Sequence, residues 1–295
     1  MIRSLGASLA TATLFGLLAG GAGAQVIGTT TDARNDVSGE LNATVRQIST
    51  GADVSSDETV NTGPASSAVF RFLDGTNLNV GEQSSVVLDR YVFNPNGPDD
   101  VIVNATKGAL RFVSAGVGPR SATVITHGAL LGIRGTDFVT WGDATDSERA
   151  VLISEGHVRV CPIPEGQVDI SAEIQACNEA DQSFASKVAG PACGLYAEAV
   201  ADGEQSGNYG DVPVGNFVIY KPDCSYIAAK TLPPCAFGVL SDAIAAGEAL
   251  PTPTTVFATN ICVASFNPLN LVPLLIPPVI CVAADCLDDD PVSPD

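Results

Sequence analysis

The sequence predicts an all-β domain of two sheets, a sandwich or a short solenoid, followed by a cysteine-rich, mostly irregular region with short helices. Between residues 51 and 160, apolar and polar residues alternate with a period of two, which is the pattern of half-buried strands. Gly, Asn and Asp interrupt this alternation roughly every ten residues, without helical stretches between the runs. All eight cysteines lie after residue 160.

Residues 1–24 have the three parts of a cleavable secretory signal peptide. A basic start with Arg3 precedes the apolar stretch Leu5–Ala19, and Ala22-Gly23-Ala24 then resembles a processing site. The apolar stretch is about 15 residues long, whereas a membrane-spanning helix needs roughly 20. We therefore expect cleavage before Gln25 and a periplasmic or secreted chain without a transmembrane span, an uncleaved anchor being the alternative.

Charge restricts the partners that the chain can have. It contains 33 acidic and 14 basic residues, with a formal net charge of −19. Such a surface repels nucleic acid and anionic lipid, so we expect neither as a partner. An envelope protein or a surface ligand is the expected partner, and composition does not predict the oligomeric state.

Composition divides the rest of the chain into three regions. Residues 25–50 form a polar lead-in with one expected strand at Leu41–Ile48, and residues 51–160 form the cysteine-free β-domain. Residues 161–295 are acidic and rich in Cys and Pro. Two stretches in this last region have helix-like spacing: Ile170–Val188 and Cys235–Ala249.

Nine short runs in the β-domain are predicted strands because their apolar residues alternate between turn-forming residues. They are Ala68–Leu73, Thr76–Val80, Ser85–Phe93, Val101–Ala105, Leu110–Val113, Ala122–Thr126, Thr136–Trp141, Arg149–Ser154 and Val158–Val160.

The parity of the apolar residues predicts a hairpin around Asp74-Gly75. A three-residue loop from Leu73 to Gly75 pairs Phe70 with Leu78, with glycine in the left-handed position. A two-residue turn would instead place apolar residues opposite polar ones.

A second predicted hairpin turns tightly at Glu155-Gly156 and pairs Ile153 with Val158. Both hairpins then have one apolar face, which a second layer has to cover.

The cysteines predict disulfides, because an even number in an exported chain usually pairs, although eight allow 105 pairings. A zinc site is the alternative, but no Cys-x2-Cys pair is present. The candidates are Cys161, Cys177, Cys193, Cys224, Cys235, Cys262, Cys281 and Cys286.

The middle region contains an ordered set of segments: Thr62-Gly63, Ala68–Val80 with its Asp-Gly turn, Lys107-Gly108, Thr126–Phe138 with Arg-Gly-Thr-Asp-Phe, and Val151–Val160 with Glu-Gly-His-Val-Arg-Val. This set resembles the FecR domain family. The resemblance covers about 110 residues, some two-fifths of the chain. The motif residues are Asp74, Gly75, Arg134, Gly135, Thr136, Phe138, Glu155 and Gly156.

The resemblance implies an extracytoplasmic all-β module of two sheets. In the best-known members this module ends a transmembrane signalling protein, whose cytoplasmic segment regulates a sigma factor and whose periplasmic end reads a TonB-dependent receptor. Only Met1–Ser4 precede the apolar leader here, so we expect the extracytoplasmic half of that role alone.

Most motif residues have an expected structural task. Glycines 75, 135 and 156 are expected at backbone angles that other residues avoid, and Phe138 in the core. Arg134 interrupts an apolar run, so we expect it to form an ion pair with Glu155 or Asp137.

Nothing in the sequence predicts catalysis. Neither His127 nor His157 has a recognisable nucleophile nearby, and His157 is expected to face solvent. The loop Asp143–Glu148 offers oxygen ligands but lacks the EF-hand series. We therefore expect a non-catalytic binding or sensing module without cofactor or metal, and the alternatives are a structural envelope or cell-surface protein or, less favoured, an extracytoplasmic hydrolase.

Overall fold

The computed structural model describes residues 25–92, 100–115, 121–145, 147–163, 197–201, 207–209, 212–259 and 261–262. Within these residues the strands are β1 (Val26–Arg34), β2 (Val37–Leu41), β3 (Thr44–Gln47), β4 (Asp53–Ser55), β5 (Glu58–Thr62), β6 (Ser67–Phe72), β7 (Asn77–Val80), β8 (Ser85–Val92), β9 (Asp100–Lys107), β10 (Leu110–Val113), β11 (Ser121–Thr126), β12 (Ala129–Gly142), β13 (Arg149–Pro162), β14 (Ala197–Val200), β15 (Gly207–Tyr209), β16 (Val212–Gly215), β17 (Phe217–Tyr220) and β18 (Ile227–Lys230). The two helices are α1 (Pro234–Ala246) and α2 (Pro253–Thr259).

The strands pair into two sheets that share one long hairpin. The first sheet has the order β4-β1-β6-β7-β10-β12-β13-β17-β18 and is antiparallel throughout. The second sheet has the order β3-β2-β5-β8-β9-β11-β12-β13-β14-β16-β15 and contains two parallel pairs, β9–β11 and β14–β16. Strands β12 and β13 therefore belong to both sheets.

One apolar core fills the space between the sheets. Phe70, Phe112 and Phe138 enter it from the first sheet and are fully buried, and the rings of Phe112 and Phe138 are 5.7 Å apart. The second sheet contributes Val60 and Val124 to the same apolar cluster. Because a single cluster takes side chains from both sheets, the sheets pack face to face as a sandwich. The prediction of an all-β fold is confirmed.

The predicted β6–β7 hairpin is confirmed. Phe70 pairs with Leu78 and Ala68 with Val80, as the parity of the apolar residues requires. Gly75 has φ +90°, in the left-handed region that glycine enters without strain.

The predicted tight turn at Glu155-Gly156 is wrong. Both residues lie inside β13, which runs without a break for 14 residues beside the equally long β12. Ile153 pairs with Phe138 and Val158 with Ile133, both on β12. A Glu-Gly sequence is compatible with a bend within a strand as well as with a turn between strands. Here β12 continues to pair with β13 on both sides of this step, so the strand bends and does not turn back.

The lead-in contains three strands instead of the single predicted one. The predicted strand at residues 41–48 is interrupted by a turn at Asn42 and Ala43, both of which have positive φ. Leu41 pairs with Thr44 across this turn. A two-residue turn with both residues at positive φ is the common connection of tight hairpins.

The two helices cover the outer face of the first sheet. Val139, Trp141 and Phe217 of the sheet pack against Leu240 of α1 and Val256 of α2 in a second apolar cluster. The sandwich thus has a third, helical layer on one side. No helix among the described residues is long and apolar enough to span a membrane.

The predicted helix at residues 235–249 is confirmed as α1, which ends at Ala246, three residues before the predicted end. Gly247 follows the helix with φ +71°, and its N–H donates to the carbonyl of Ile244. This left-handed cap ends the helix four residues before the proline. The other predicted helix, Ile170–Val188, lies outside the described residues.

A buried carboxylate ties the lead-in to the β-domain. Glu58 is fully buried, and Arg46 donates to it from Nε (2.9 Å) and Nη2 (3.0 Å). The N–H of Ser55 donates to the same carboxylate at 3.0 Å. Gly39 leaves room for it, because a Cβ there would lie 2.0 Å from Glu58 Oε1. Half-exposed Arg46 and buried Glu58 thus form an asymmetric pair.

This asymmetry predicts unequal effects of removing the two partners. Arg46→Gln strands a buried carboxylate and should lower the free energy of unfolding by about 3 kcal/mol. Glu58→Gln leaves a guanidinium that can still reach water, so its cost should be only about 1–2 kcal/mol. Urea unfolding of both variants measures the difference, with the exposed Glu40→Gln as the control. Equal losses for the two variants would contradict the role of the pair.

Candidate functional site

Six of the eight FecR-like motif residues lie where β12 and β13 cross from one sheet to the other. Residues 129–133 of β12 pair in the second sheet, whereas residues 137–140 pair in the first. Gly135 (φ +54°) and Gly156 (φ +77°) lie at the bend on the two strands. Phe138 is fully buried directly after it. The backbone of Arg134 belongs to the bend, and Glu155 is exposed on the facing strand.

The remaining motif residues, Asp74 and Gly75, form the β6–β7 turn beside this crossover. Thr76 donates to Asp74 from its N–H and from Oγ1, both at 2.7 Å. The N–H of Ala115 donates to Thr76 Oγ1 at 3.4 Å. The structure therefore brings the motif together at one end of the sandwich.

Ser114 joins the end of β10 to the crossover. The N–H of Ser114 donates to the carbonyl of Thr136 at 2.9 Å, and the N–H of Thr136 donates to Ser114 Oγ at 2.7 Å. These reciprocal bonds satisfy backbone groups where the strand register shifts. At the crossover, the motif residues therefore have a structural role.

Asp137 at the crossover pairs with an arginine that the sequence did not single out. Arg111 donates to its carboxylate from Nε (2.8 Å) and Nη2 (2.6 Å). The expected partner, Arg134, has a side chain outside the described residues, so its ion pair stays a prediction. Arg111 alternates with the core residues Leu110 and Phe112 on β10, which is the signal that places it on the outer face.

Arg111 also connects the sheet to α1. Its Nη1 donates to Ser241 Oγ at 2.8 Å, and its guanidinium lies 5.4 Å from the ring centre of Phe237. The hydrogen bond to Asp137 is the main cause that raises the pKa of Arg111, against the opposing effect of burial. One fixed charge thus holds a strand crossover and a helix together.

A cavity of about 470 Å³ lies at the rim of the helical layer, in the range typical of small-molecule sites. The wall includes the last residue of the loop before β13, one residue of β17, the loop after β17, and α2. The lining residues are Glu148, Ile219, Lys221, Ser225, Tyr226, Thr254 and Phe257.

Glu148 fixes α2 to the β12–β13 loop at this cavity. Its Oε1 accepts from the N–H of Thr254 at 2.9 Å, and its Oε2 accepts from Thr254 Oγ1 at 2.5 Å. At Phe257 of α2, Lys230 Nζ donates to the backbone carbonyl and lies 4.9 Å from the centre of the ring. Burial lowers the pKa of Lys230.

The loop considered for calcium is organised by its own donors. The carboxylate of Asp143 accepts from Thr145 Oγ1 (2.6 Å), Ser147 N–H (2.7 Å) and Ser147 Oγ (2.7 Å). The N–H of Glu148 adds a longer bond of 3.3 Å. Among the described residues, no group of three or more His, Cys, Asp or Glu side chains is arranged to hold a metal ion.

His157 does not simply face solvent as expected. Its ring is about two-thirds buried and contacts the carboxylate of Glu198 on β14, which also accepts from Arg159 Nε at 2.7 Å. His127 lies in the turn between β11 and β12. His157 thus lies on a strand of the second sheet, and His127 lies in a turn that joins two strands of that sheet.

A disulfide joins Cys235 at the start of α1 to Cys262 after α2. It closes a segment that contains both helices. Cys161 and Cys224 are disulfide-bonded as well.

The network around Asp143 predicts how stability depends on pH. Partial burial acts to raise the pKa of Asp143, but the hydrogen bonds from Thr145, Ser147 and Glu148 outweigh it and lower the pKa. A carboxylate with a lowered pKa stabilises the fold above its unfolded-state pKa, and this stability is lost as pH falls through the folded-state value. Asp143→Asn should therefore be less stable than the unmodified chain at pH 7, and the difference should shrink below about pH 4.

Urea unfolding at pH 7, 5 and 3 measures this convergence. Asp89→Asn is the control, because Asp89 is exposed and makes no side-chain hydrogen bond among the described residues. A difference between Asp143→Asn and the unmodified chain that stays constant down to pH 3 would contradict the assignment.

Part of the chain is similar to known proteins. The chain is similar to two crystal structures of a candidate anti-sigma factor from Parabacteroides distasonis ATCC 8503, each with 19% identity and a TM-score of 0.30. The similarity covers 37% of this chain and 48% of that protein, so it spans about half of the solved chain. No significant match was found among curated proteins. The family model described as FecR protein matches residues 58–159, so this part of the chain is similar to a FecR domain.

Proposed function

We propose that this protein is an exported, non-catalytic module that recognises a protein or a small ligand outside the cytoplasm. The FecR domain supports a sensing or regulatory module in general terms. Export and ligand recognition are the further steps that the proposal adds.

The observation that carries the proposal is the use of the motif residues. Gly135 and Gly156 bend the shared hairpin, the carbonyl of Thr136 accepts from the N–H of Ser114, and Phe138 fills the core. A catalytic constellation needs a nucleophile and a base within hydrogen-bond reach, but these residues serve the backbone and the core. The family motif thus supplies a rigid platform, on which binding residues from other segments are held.

The disulfides support export. Cys235–Cys262 closes a 27-residue separation, and bonds of this kind persist in the periplasm and outside the cell, whereas cytosolic thiols are kept reduced. The signal-peptide pattern of residues 1–24 points to the same compartments.

Export predicts a defined mature N-terminus. When the chain with a C-terminal tag is expressed in a Gram-negative host, we expect the tagged protein in the osmotic-shock fraction, beginning at Gln25 by intact mass and N-terminal sequencing. Ala24→Leu should block processing, because the position before the cleavage site requires a small residue. Gly20→Ala is the matched control and should be processed normally. An intact Met1 in unmodified protein, or recovery in the cytoplasm, would contradict export.

If the protein recognises a partner, its binding to that partner should be saturable. Passing an envelope extract over immobilised mature chain should retain a component that free mature chain displaces. If nothing is displaced and no ligand shifts the melting temperature, the proposal fails. Recovery of the protein in outer-membrane polymers would instead favour the structural alternative.

A further inference from the structure

We propose that the cavity lined by Lys221, Tyr226 and Phe257 binds a small organic anion, a carboxylate attached to a flat apolar body. This inference rests on the proposed function and deepens it by naming a ligand class and a site. Three observations support it: the apolar surface of the cavity, two hydrogen-bond donors in its wall that have no hydrogen-bond partner among the described residues, and the contacts that hold α2 in place.

The floor of the cavity is apolar and partly aromatic. Ile219 on β17 is 3% exposed, and Phe257 on α2 is half-buried. Phe257 packs with its ring centre 6.0 Å from that of Phe217, which fixes its place on the sheet. Tyr226 remains 42% exposed across the cavity. Two aromatic side chains and an aliphatic one offer a surface for a flat apolar ligand body.

Most polar groups of the wall already have a partner. Both oxygens of Glu148 accept hydrogen bonds from Thr254, one from its N–H and one from its hydroxyl group. Ser225 donates from N–H and Oγ to Asp223 Oδ1. The hydroxyl protons of Thr254 and Ser225 are therefore already used and are not available to a ligand.

Two donors are left over. Among the described residues, neither Lys221 Nζ nor Tyr226 Oη takes part in a hydrogen bond or an ion pair. An ammonium and a phenol that line the same cavity can both donate to one carboxylate, and hydrogen bonds of this charged kind are the stronger ones. The two donors favour a ligand that carries a carboxylate, although Glu148 lines the same cavity and Asp223 interacts electrostatically with Lys221.

The cavity is preformed because α2 is anchored on several sides. Trp141 Nε1 donates to the carbonyl of Pro251 at 2.9 Å, just before the helix. Glu148 binds Thr254 in its first turn, and Cys262 beyond its end is bonded to Cys235. A ligand thus meets a wall that is already ordered, which spares it the entropy cost of forming the site.

The size of the cavity limits the ligand. At about 470 Å³ it belongs with the smaller ligand sites, so a phenyl- or indole-sized carboxylate fits and an extended peptide does not. Benzoate is the simplest probe of this class. Benzamide has the same shape without the charge, and benzylamine carries the opposite charge.

The experiment is a titration of purified, disulfide-bonded mature chain, followed by backbone amide shifts in NMR spectra. Benzoate should cause saturable shifts at Lys221, Tyr226 and Phe257, with an affinity at least tenfold higher than those of benzamide and benzylamine. Lys221→Gln should weaken benzoate binding about tenfold, and Tyr226→Phe about threefold, because each removes one donor to the carboxylate. Lys107→Gln, an exposed lysine at the end of β9, is the matched control and should bind as the unmodified chain does.

Three results would overturn the proposal: benzamide binding as tightly as benzoate, Lys221→Gln binding benzoate as tightly as the unmodified chain, or no shifts at the cavity with 10 mM benzoate. The comparison of benzoate with benzamide uses the unmodified chain, so it holds even if a variant folds poorly. The titration needs neither a partner protein nor an exporting cell. Its failure would therefore remove the ligand class and leave the tests of export and partner recognition standing.

Discussion

The fold depends on one constraint, which is that a single hairpin has to serve two sheets. Strands β12 and β13 each run for 14 residues, more than twice the length of most other described strands. Their ends near the β12–β13 turn pair in the first sheet, and their other ends pair in the second. A straight hairpin cannot lie in both layers of a sandwich, so the strands bend at Gly135 and Gly156. The family motif is concentrated at that bend.

The position of the helical layer outside the sandwich is determined by this hairpin. Asp137 leaves the crossover on the outer face of the first sheet, where Arg111 binds it and reaches Ser241 on α1. The turn of the same hairpin carries Glu148, which binds α2. Both helices are thus attached to one element of the β-domain, and the cavity lies where the second attachment meets β17. The described part of the cysteine-rich region thus adds a helical layer and a cavity to the sandwich.

How much of this could be predicted depended on whether the signal was local. The β6–β7 hairpin followed from the parity of its apolar residues, because loop length and side-chain alternation determine register between neighbours. The predicted turn at Glu155-Gly156 was wrong because the deciding contact is not local. The strand continues through these residues since β12 pairs with it on both sides. The turn at Asn42-Ala43 had a favourable asparagine but lacked the glycine that marks such turns most strongly. Most strands between residues 68 and 160 were therefore predictable, whereas most strands outside that range and the partners distant in sequence were not.

The candidate site was still harder to predict. Arg111 could have been recognised as outward-facing from its alternation with Leu110 and Phe112, but nothing local indicates Asp137 as its partner. Lys221 and Tyr226 lie in a loop without periodicity, and their neighbour Phe257 is more than thirty residues away. Only folding brings them to one cavity.

The most direct test of the shared hairpin is native-state hydrogen exchange at increasing urea concentrations. Two sheets that contain the same two strands cannot open separately without breaking that hairpin. The account predicts one common free energy of opening for Phe70 and Leu78 in the first sheet, for Val86 and Val103 in the second, and for Leu131 and Phe138 in β12. Exchange of one sheet at a markedly lower free energy, while the other sheet and β12 stay protected, would contradict it.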